Sequence, residues 1–309
     1  MIIIHDNWES LAGKSLAATI GFFDGVHLGH RFLVEELKRK AKERNLASAV
    51  ITFAQHPRAV LHADYQPKLL NSFREKMAHL LELDVDYCIL LDFTEELSRY
   101  SAEEFITKVL AEKCQVKMLL IGYDHRFGHN REDGFEQYVD YGRTLGMEVV
   151  QASPYNDGKT KVSSSEIRRL LLDGHVEKAD ELLTYPYVLQ GTIVNGYKVG
   201  RTIGFPTANI AVDEPYKVLP KVGVYAVWVY IAGKRYKGML YIGKRPTVHN
   251  GDNQTVEVHI LDFSGDIYDN RIMVSFIYHI REDIKFDSLD ALKGQLEKDR
   301  QEVDRRLRE

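Results

Sequence analysis

Three stretches of this chain combine residue types that act on phosphate groups. The first is Gly21-Phe22-Phe23-Asp24-Gly25-Val26-His27-Leu28-Gly29-His30, with glycines at 21, 25 and 29 and histidines at 27 and 30. Glycines let a backbone approach a ligand closely, and the free amides at a helix N-terminus favour an anion. If a helix starts near Leu28, His27 and His30 can face the same anion, neutralising charge or donating to a phosphoryl oxygen. A metal would need further ligands and only Asp24 is at hand, so a metal pair is the weaker alternative; two incidental histidines are the plainer one. The second stretch, residues 162–168, carries Ser163, Ser164, Ser165 and Arg168, which suit a triphosphate. A plain helix start explains it equally well, because Ser163 and Glu166 form a capping box and Ile167, Leu170 and Leu171 a core-facing stripe. In the third, residues 200–209, Thr207 and Asn209 lie two apart on an extended chain and offer hard oxygens on one side, as magnesium shared with nucleotide phosphates requires. A glycine-rich turn is the alternative there. Glu257 alternates with Val256, Val258 and Ile260, and if those apolar residues face the core it faces outward with His259. It is either an ordinary surface glutamate or a base that takes the proton of an alcohol attacking phosphorus.

These groups need scaffolds. From residue 16 to about 183, apolar runs at 16–21, 47–53, 86–92, 116–122 and 147–152 alternate with helical patterns, and Ser72 and Ser101 each have Glu three residues on. That alternation predicts a doubly wound parallel sheet with helices on both faces, whose ligands bind outside the carboxyl ends of the strands. The loops expected on that rim are the first stretch, Gln55-His56-Pro57-Arg58, Gly122-Tyr123-Asp124-His125-Arg126-Phe127-Gly128, and residues 162–168. Thr184-Tyr185-Pro186-Tyr187 ends the helical pattern and sets the expected boundary between domains 1–184 and 185–309. Beyond it, short strand-like runs at 188–194, 222–231, 236–242, 255–263 and 272–280 predict an antiparallel barrel or sandwich. Leu289, Leu292, Leu296, Val303 and Leu307 predict an amphipathic C-terminal helix laid on it.

Bulk properties narrow the field. A length of 309 residues suits two domains, and 44% hydrophobic with 28% charged residues is the balance of a soluble globular protein. The net charge of −4 argues against wholesale nucleic-acid binding. Cys88 and Cys114 show no CxxC spacing and are expected to be buried reduced thiols. The apolar run at Met1 to Ile4 is too short for a signal peptide, and no run approaches the ~18 residues that span a bilayer, so a cytoplasmic protein is expected. Gly13-Lys14-Ser15 imitates the end of a Walker A loop, but Trp8 stands where its first glycine should be and the segment precedes a strand.

Taken together the motifs resemble the prokaryotic bifunctional riboflavin kinase and FMN adenylyltransferase (FAD synthetase) family. The first stretch is similar to the HxGH signature in its flavin-specific form, and residues 163–168 resemble SSTxIR with Ser165 in place of Thr. Thr52-Phe53-Ala54-Gln55-His56-Pro57 resembles TFxPHP without its first proline, and His125 replaces an aromatic in GxDFxFG. Gly200-Arg201-Thr202-Ile203-Gly204-Phe205-Pro206-Thr207-Ala208-Asn209 with Val256-Glu257-Val258-His259 is similar to the flavokinase signature. Ile280-Arg281 also matches, while Tyr241 replaces the family's Asn and Asp269-Asn270 a Gly. The resemblance implies a nucleotidyltransferase domain followed by a flavokinase barrel with a C-terminal helix. It implies phosphorylation of riboflavin by ATP to FMN, then adenylylation of FMN by a second ATP to FAD, with Mg2+ as cofactor and small-molecule substrates as partners, without nucleic acid or membrane. By that resemblance Glu257, His27, His30 and Arg168 are catalytic and Thr207 and Asn209 hold the metal. Gly21, Phe22, Phe23, Asp24, Gly29, His56, Asp124, Arg126, Phe127, Ser164 and Ser165 bind substrate in the first domain, and Gly200, Arg201, Gly204, Pro206 and Arg281 in the second. Two other functions keep the same folds: a kinase whose N-terminal site has drifted, and a flavin- or nucleotide-binding regulator without turnover.

Overall fold

The computed structural model describes residues 1–56, 68–123, 125–129, 132–155, 162–195, 200, 203–244 and 254–308. The chain divides into two compact units, Met1–Ser164 and Ser165–Glu309. In the first, six parallel strands, β1 (Ile2–Ile4), β2 (Leu16–Ile20), β3 (Ala47–Phe53), β4 (Tyr87–Leu91), β5 (Val116–Ile121) and β6 (Glu148–Gln151), stand in the order β1-β4-β3-β2-β5-β6. The strand order reverses between β2 and β5, so a crevice opens at their carboxyl ends, where doubly wound sheets take their ligands. β2 is buried at all five positions, the continuous apolar run of a strand covered on both faces. Ala18, Ile20, Ile51 and Ile89 pack on one side with Phe105, Ile106 and Tyr138, and Ala17, Met118 and Leu120 on the other with Leu37 and Ala41.

The capping boxes predicted at Ser72 and Ser101 form, with Glu75 and Glu104. Two details depart from expectation. β1 adds an edge strand too short to show a periodicity, with Ile2 and Ile3 exposed. The helix after Ser101 winds as a π-helix over Phe105–Lys113. On helix Leu28–Glu43 the buried stripe is Val34, Leu37 and Ala41.

In the second unit β7 (Val188–Val194), β8 (Ala208–Val212), β9 (Gly223–Ile231), β10 (Lys234–Lys244), β11 (Gln254–Ile260) and β12 (Arg271–Arg281) close into an antiparallel barrel in the order β10-β11-β8-β7-β12-β9. Closure decides between barrel and sandwich and removes sheet edges. Leu189, Tyr225, Val227, Leu240, Val258, Val274 and Phe276 are fully buried. Residues of the opposite parity, Val224, Ala226 and Met239, pack with Val303 of the C-terminal helix Leu289–Arg306 and with Leu307, which caps its end. Ser288 caps that helix, and Leu289, expected to face the barrel, is 60% exposed in its first turn. β8 went unforeseen because its five residues lie against the glycine-rich motif, and it places Asn209 on a strand rather than in a loop.

Candidate active sites

The histidine loop sits at the mouth of the crevice. His27 caps helix Leu28–Glu43, its Nδ1 accepting the His30 backbone N–H at 3.4 Å, and the two imidazoles stack 3.7 Å apart at 18°. The spacing of three therefore does bring both rings together. Burial, then the neighbouring His27 and His125, pulls His30 well below the ordinary histidine range, so it is neutral at pH 7. Its Nδ1 is buried and has no hydrogen-bond partner among the described residues.

The loop's shape owes less to glycine than its composition suggests. Gly25 has φ 85°, but Phe23 (φ 56°) and Val26 (φ 35°) share the left-handed region, a backbone cost that recurs at ligand sites. Gly21 lies under the Phe23 ring and Gly29 against the His27 ring. Asp24 is buried and its carboxylate accepts the N–H groups of Leu70 and Asn71 at 2.9 and 3.2 Å, so it fastens the loop to the segment leading into helix Phe73–Leu81 rather than completing a metal pair. Ser164 Oγ donates to the Asp24 carbonyl at 2.8 Å, which joins the serine motif to the histidine loop. Ser165 is exposed in the first turn of helix Ser164–Leu172 and Arg168, partly buried, lies one turn on.

Other rim loops converge on this point. The His56 ring meets the Phe22 ring edge-on at 4.7 Å. Phe127 packs 4.3 Å from Tyr138, nearly parallel, and 5.5 Å from Phe105, so its ring anchors the loop that carries exposed Arg126. Tyr138 Oη also bonds the backbone N–H and carbonyl of Phe127, both at 3.1 Å. Asp124, Pro57 and Arg58 lie outside the described residues. Tyr138 and Lys76, both buried, lie outside every sequence motif. The signal for Lys76 was a cation three residues after Phe73 and four before Leu80, on the apolar stripe of its helix.

The second site lies on the outer face of the barrel. Asn209 and Tyr241 are the register partners of Glu257 on either side, so the three side chains share one face across β8, β11 and β10. The Thr207 hydroxyl donates to Glu257 Oε2 at 3.3 Å. Thr207, Asn209 and Glu257 thus gather hydroxyl, amide and carboxylate oxygens, a donor set that fits a hard divalent cation. Burial and nearby Asp283, to which its hydroxyl donates at 3.1 Å, push Tyr241 up to about 12, so the phenol stays protonated beside Glu257. His259 Nδ1 hydrogen-bonds the Pro206 carbonyl at 2.8 Å and fixes the strand entry.

The turn before β8 closes through Phe205 N–H donating to the Gly200 carbonyl at 2.8 Å, and a Cβ on Gly200 would meet the Phe205 oxygen at 2.1 Å, so no other residue fits there. Gly204 takes φ 86° in the same turn. Arg201 lies outside the described residues. Arg281 donates through Nε to both Asp299 oxygens at 3.1 and 2.9 Å in a largely buried pair, which ties β12 to the C-terminal helix. Next to the site a cavity of about 380 Å³ is lined by Pro206, Thr207, Phe263, Asp266 and Tyr268 among others. Its acidic and aromatic wall comes from Phe263, Asp266 and Tyr268, between β11 and β12.

A parallel sheet with stacked histidines at its switch point, followed by a closed barrel with a threonine-asparagine strand beside a carboxylate, defines a two-part nucleotide-dependent transferase. The sequence model of the FAD synthetase family matches residues 10–166 and that of riboflavin kinase residues 183–307. Curated relatives described as bifunctional riboflavin kinase/FMN adenylyltransferase include those of Escherichia coli K12 (38% identity, 96% of this chain and 94% of that protein) and Haemophilus influenzae (40%, 96% and 95%). That of Bacillus subtilis is 35% identical over 94% of this chain and 92% of its own. A solved structure from Streptococcus pneumoniae, described as a macrolide-efflux protein, matches with TM-score 0.86 and 33% identity over 98% of this chain and 99% of that one. Among the described residues no helix is long and apolar enough to cross a membrane. The chain belongs to the bifunctional riboflavin kinase/FMN adenylyltransferase family.

Proposed function

We propose that this protein makes FAD from riboflavin in two ATP-dependent steps at separate sites. The observation that carries this is the presence of two complete constellations, the stacked His27–His30 pair and the Thr207–Asn209–Glu257 cluster, in one chain of this family. Functionally, residues 1–184 form the adenylyltransferase and 185–309 the kinase.

In the kinase step Glu257 takes the proton of the ribityl 5'-hydroxyl, the oxygen attacks the γ-phosphorus of ATP, and ADP leaves. Thr207 and Asn209 would hold Mg2+, which supplies charge neutralisation on the phosphates when bound. The Thr207 hydroxyl keeps the carboxylate of Glu257 oriented. The cavity that Thr207 shares with Asp266 and Tyr268 has room for the nucleotide. Gly200, Gly204 and Pro206 shape the phosphate turn, with Arg201 as its cation and Arg281 holding the barrel to its helix.

In the adenylyl step an oxygen of the FMN phosphate attacks the α-phosphorus of a second ATP and pyrophosphate leaves. The nucleophile is already an anion, so no base is required, and the residues align and stabilise charge. His27, His30 and Arg168 act as donors to the phosphates, and Gly21, Phe22, Phe23, Asp24, Gly29 and His56 set the loop's shape. Asp124, Arg126 and Phe127 with Ser164 and Ser165 complete the substrate contacts. Buried free thiols at Cys88 and Cys114, pushed up to about 11 and about 12 by burial, fit a reducing cytoplasm.

Incubation with riboflavin, ATP and magnesium, with flavins resolved by chromatography, tests the proposal. FMN should rise first and FAD follow. FMN accumulating without FAD would leave only the kinase, and no conversion of either flavin would leave only a binding protein.

A further inference from the structure

Lys76 is one of the few charged side chains in the first unit that are almost fully buried, at 3% exposure. It belongs to helix Phe73–Leu81, not to any rim loop. Its Nζ donates to the Phe53 carbonyl at 2.7 Å, the Phe22 carbonyl at 3.2 Å and Thr52 Oγ1 at 3.4 Å. An ammonium has three N–H donors, and all three are engaged. The same nitrogen lies 4.1 Å from the centroid of the Phe22 ring, a cation–π contact. Phe22 opens the histidine loop, Phe53 ends β3, and Phe23, which follows the gripped carbonyl, is strained at φ 56°. Thr52 Oγ1 donates to the Phe22 carbonyl as well, at 3.2 Å.

We propose that Lys76 is a positioning residue for adenylyl transfer, its ammonium clamping the start of the histidine loop onto the end of β3 and thereby setting where Phe22, His56 and the stacked histidines meet substrate. This rests on the assignment of the first unit as the adenylyltransferase. The charge is part of the device. A neutral amine has two N–H groups for three acceptors and no cation–π attraction, so deprotonation frees one of them. Uncharged isosteres lose all three bonds. Burial lowers the Lys76 ammonium to about 8, against partial support from the Asp24 carboxylate. The groups around it are Asp24 from the histidine loop, whose carboxylate holds two backbone amides, Glu75 in its own helix's capping box, His56 beyond the Phe22 ring, and Cys88 of β4. The Cys88 thiol, at about 11, stays protonated while Lys76 titrates.

A clamp that works through charge separates activity from stability. Because the folded pKa lies below the unfolded value of 10.5, the unfolded chain holds this proton longer as pH rises. The cost of burying the ammonium is fully present below about 8 and is relieved above it, so this group makes the fold more stable as pH rises. Adenylyl transfer should move the opposite way, falling with a midpoint near about 8. A residue needed only for folding would move both together.

The test measures FAD formation from supplied FMN, FMN formation from riboflavin, and thermal unfolding, for the full chain and Lys76→Met, from about pH 7 to about pH 9.5. Lys76→Met should lose FAD formation by on the order of a hundredfold at pH 7.5 and keep FMN formation. In the unaltered chain FAD formation alone should show the alkaline fall while the unfolding temperature gains relative to Lys76→Met. If Lys76→Met does not fold, the unaltered chain's profile decides, and a flat FAD profile across that range overturns the proposal. So does Lys76→Met with full FAD formation, or with the same alkaline midpoint. An unaltered chain that forms no FAD overturns the adenylyltransferase assignment and the proposal with it, whereas FAD formed equally with Lys or Met at position 76 overturns the proposal alone.

Discussion

Burial beside His27 and His125 leaves His30 neutral at physiological pH, so in the proposed adenylyl transfer it would meet the phosphates as a hydrogen-bond donor and not as a fixed positive charge. In a histidine-resolved NMR titration of the free protein, His30 should titrate well below 6.5, and a midpoint at or above 6.5 would contradict the buried stack. The linkage follows in sign: the unfolded chain takes up this proton first as pH falls through 6.5, so acidification below that value costs the first unit stability. Glu257 is the counterpart in the barrel. Replacement by Gln keeps the shape and an acceptor for Thr207 but removes the base, and FMN formation should fall about 10²–10⁴-fold in a kinase assay with flavins resolved by chromatography.

At the scale of elements, two connections hold the sites in place and can be cut singly. Asp299→Ala leaves the Arg281 guanidinium buried without its carboxylate, which should destabilise the barrel by about 3 kcal/mol in denaturant unfolding. Gly200→Ala drives a Cβ into the Phe205 carbonyl, so the turn before β8 must open and kinase activity should fall far more than adenylyl transfer. The sequence made these elements legible to different degrees. Five parallel strands, the two serine capping boxes and the barrel's long strands were visible because apolar runs and cap residues are local signals. β1, at three residues, and β8, running straight out of a glycine-rich motif, were not, because strands that short show no period. The π-helix at Phe105–Lys113 was invisible for a related reason, since the residue pattern there also reads as an α-helix. Within the sites the motif residues stood out by type, but Lys76, Tyr138 and the engagement of Arg281 by Asp299 did not, because their partners are backbone carbonyls or residues far along the chain.

On the proposed function, the whole molecule carries two chemistries at two separate sites, each with its own phosphate-binding residues, linked by FMN as product of one and substrate of the other. The family supports it, with one sequence model on residues 10–166 and the other on residues 183–307. Removal of magnesium by a chelator should stop FMN formation, as Thr207 and Asn209 then have no cation to present to the phosphates. The most direct test is complementation between Glu257→Ala and His30→Ala. Each alone should fail to make FAD from riboflavin, the first stopping at riboflavin yet converting supplied FMN, the second stopping at FMN. Mixed in one tube with riboflavin, ATP and magnesium, they should form FAD. If both folded variants lost both activities, or if the mixture stayed without FAD, the two sites would not be separate and the claim would be wrong.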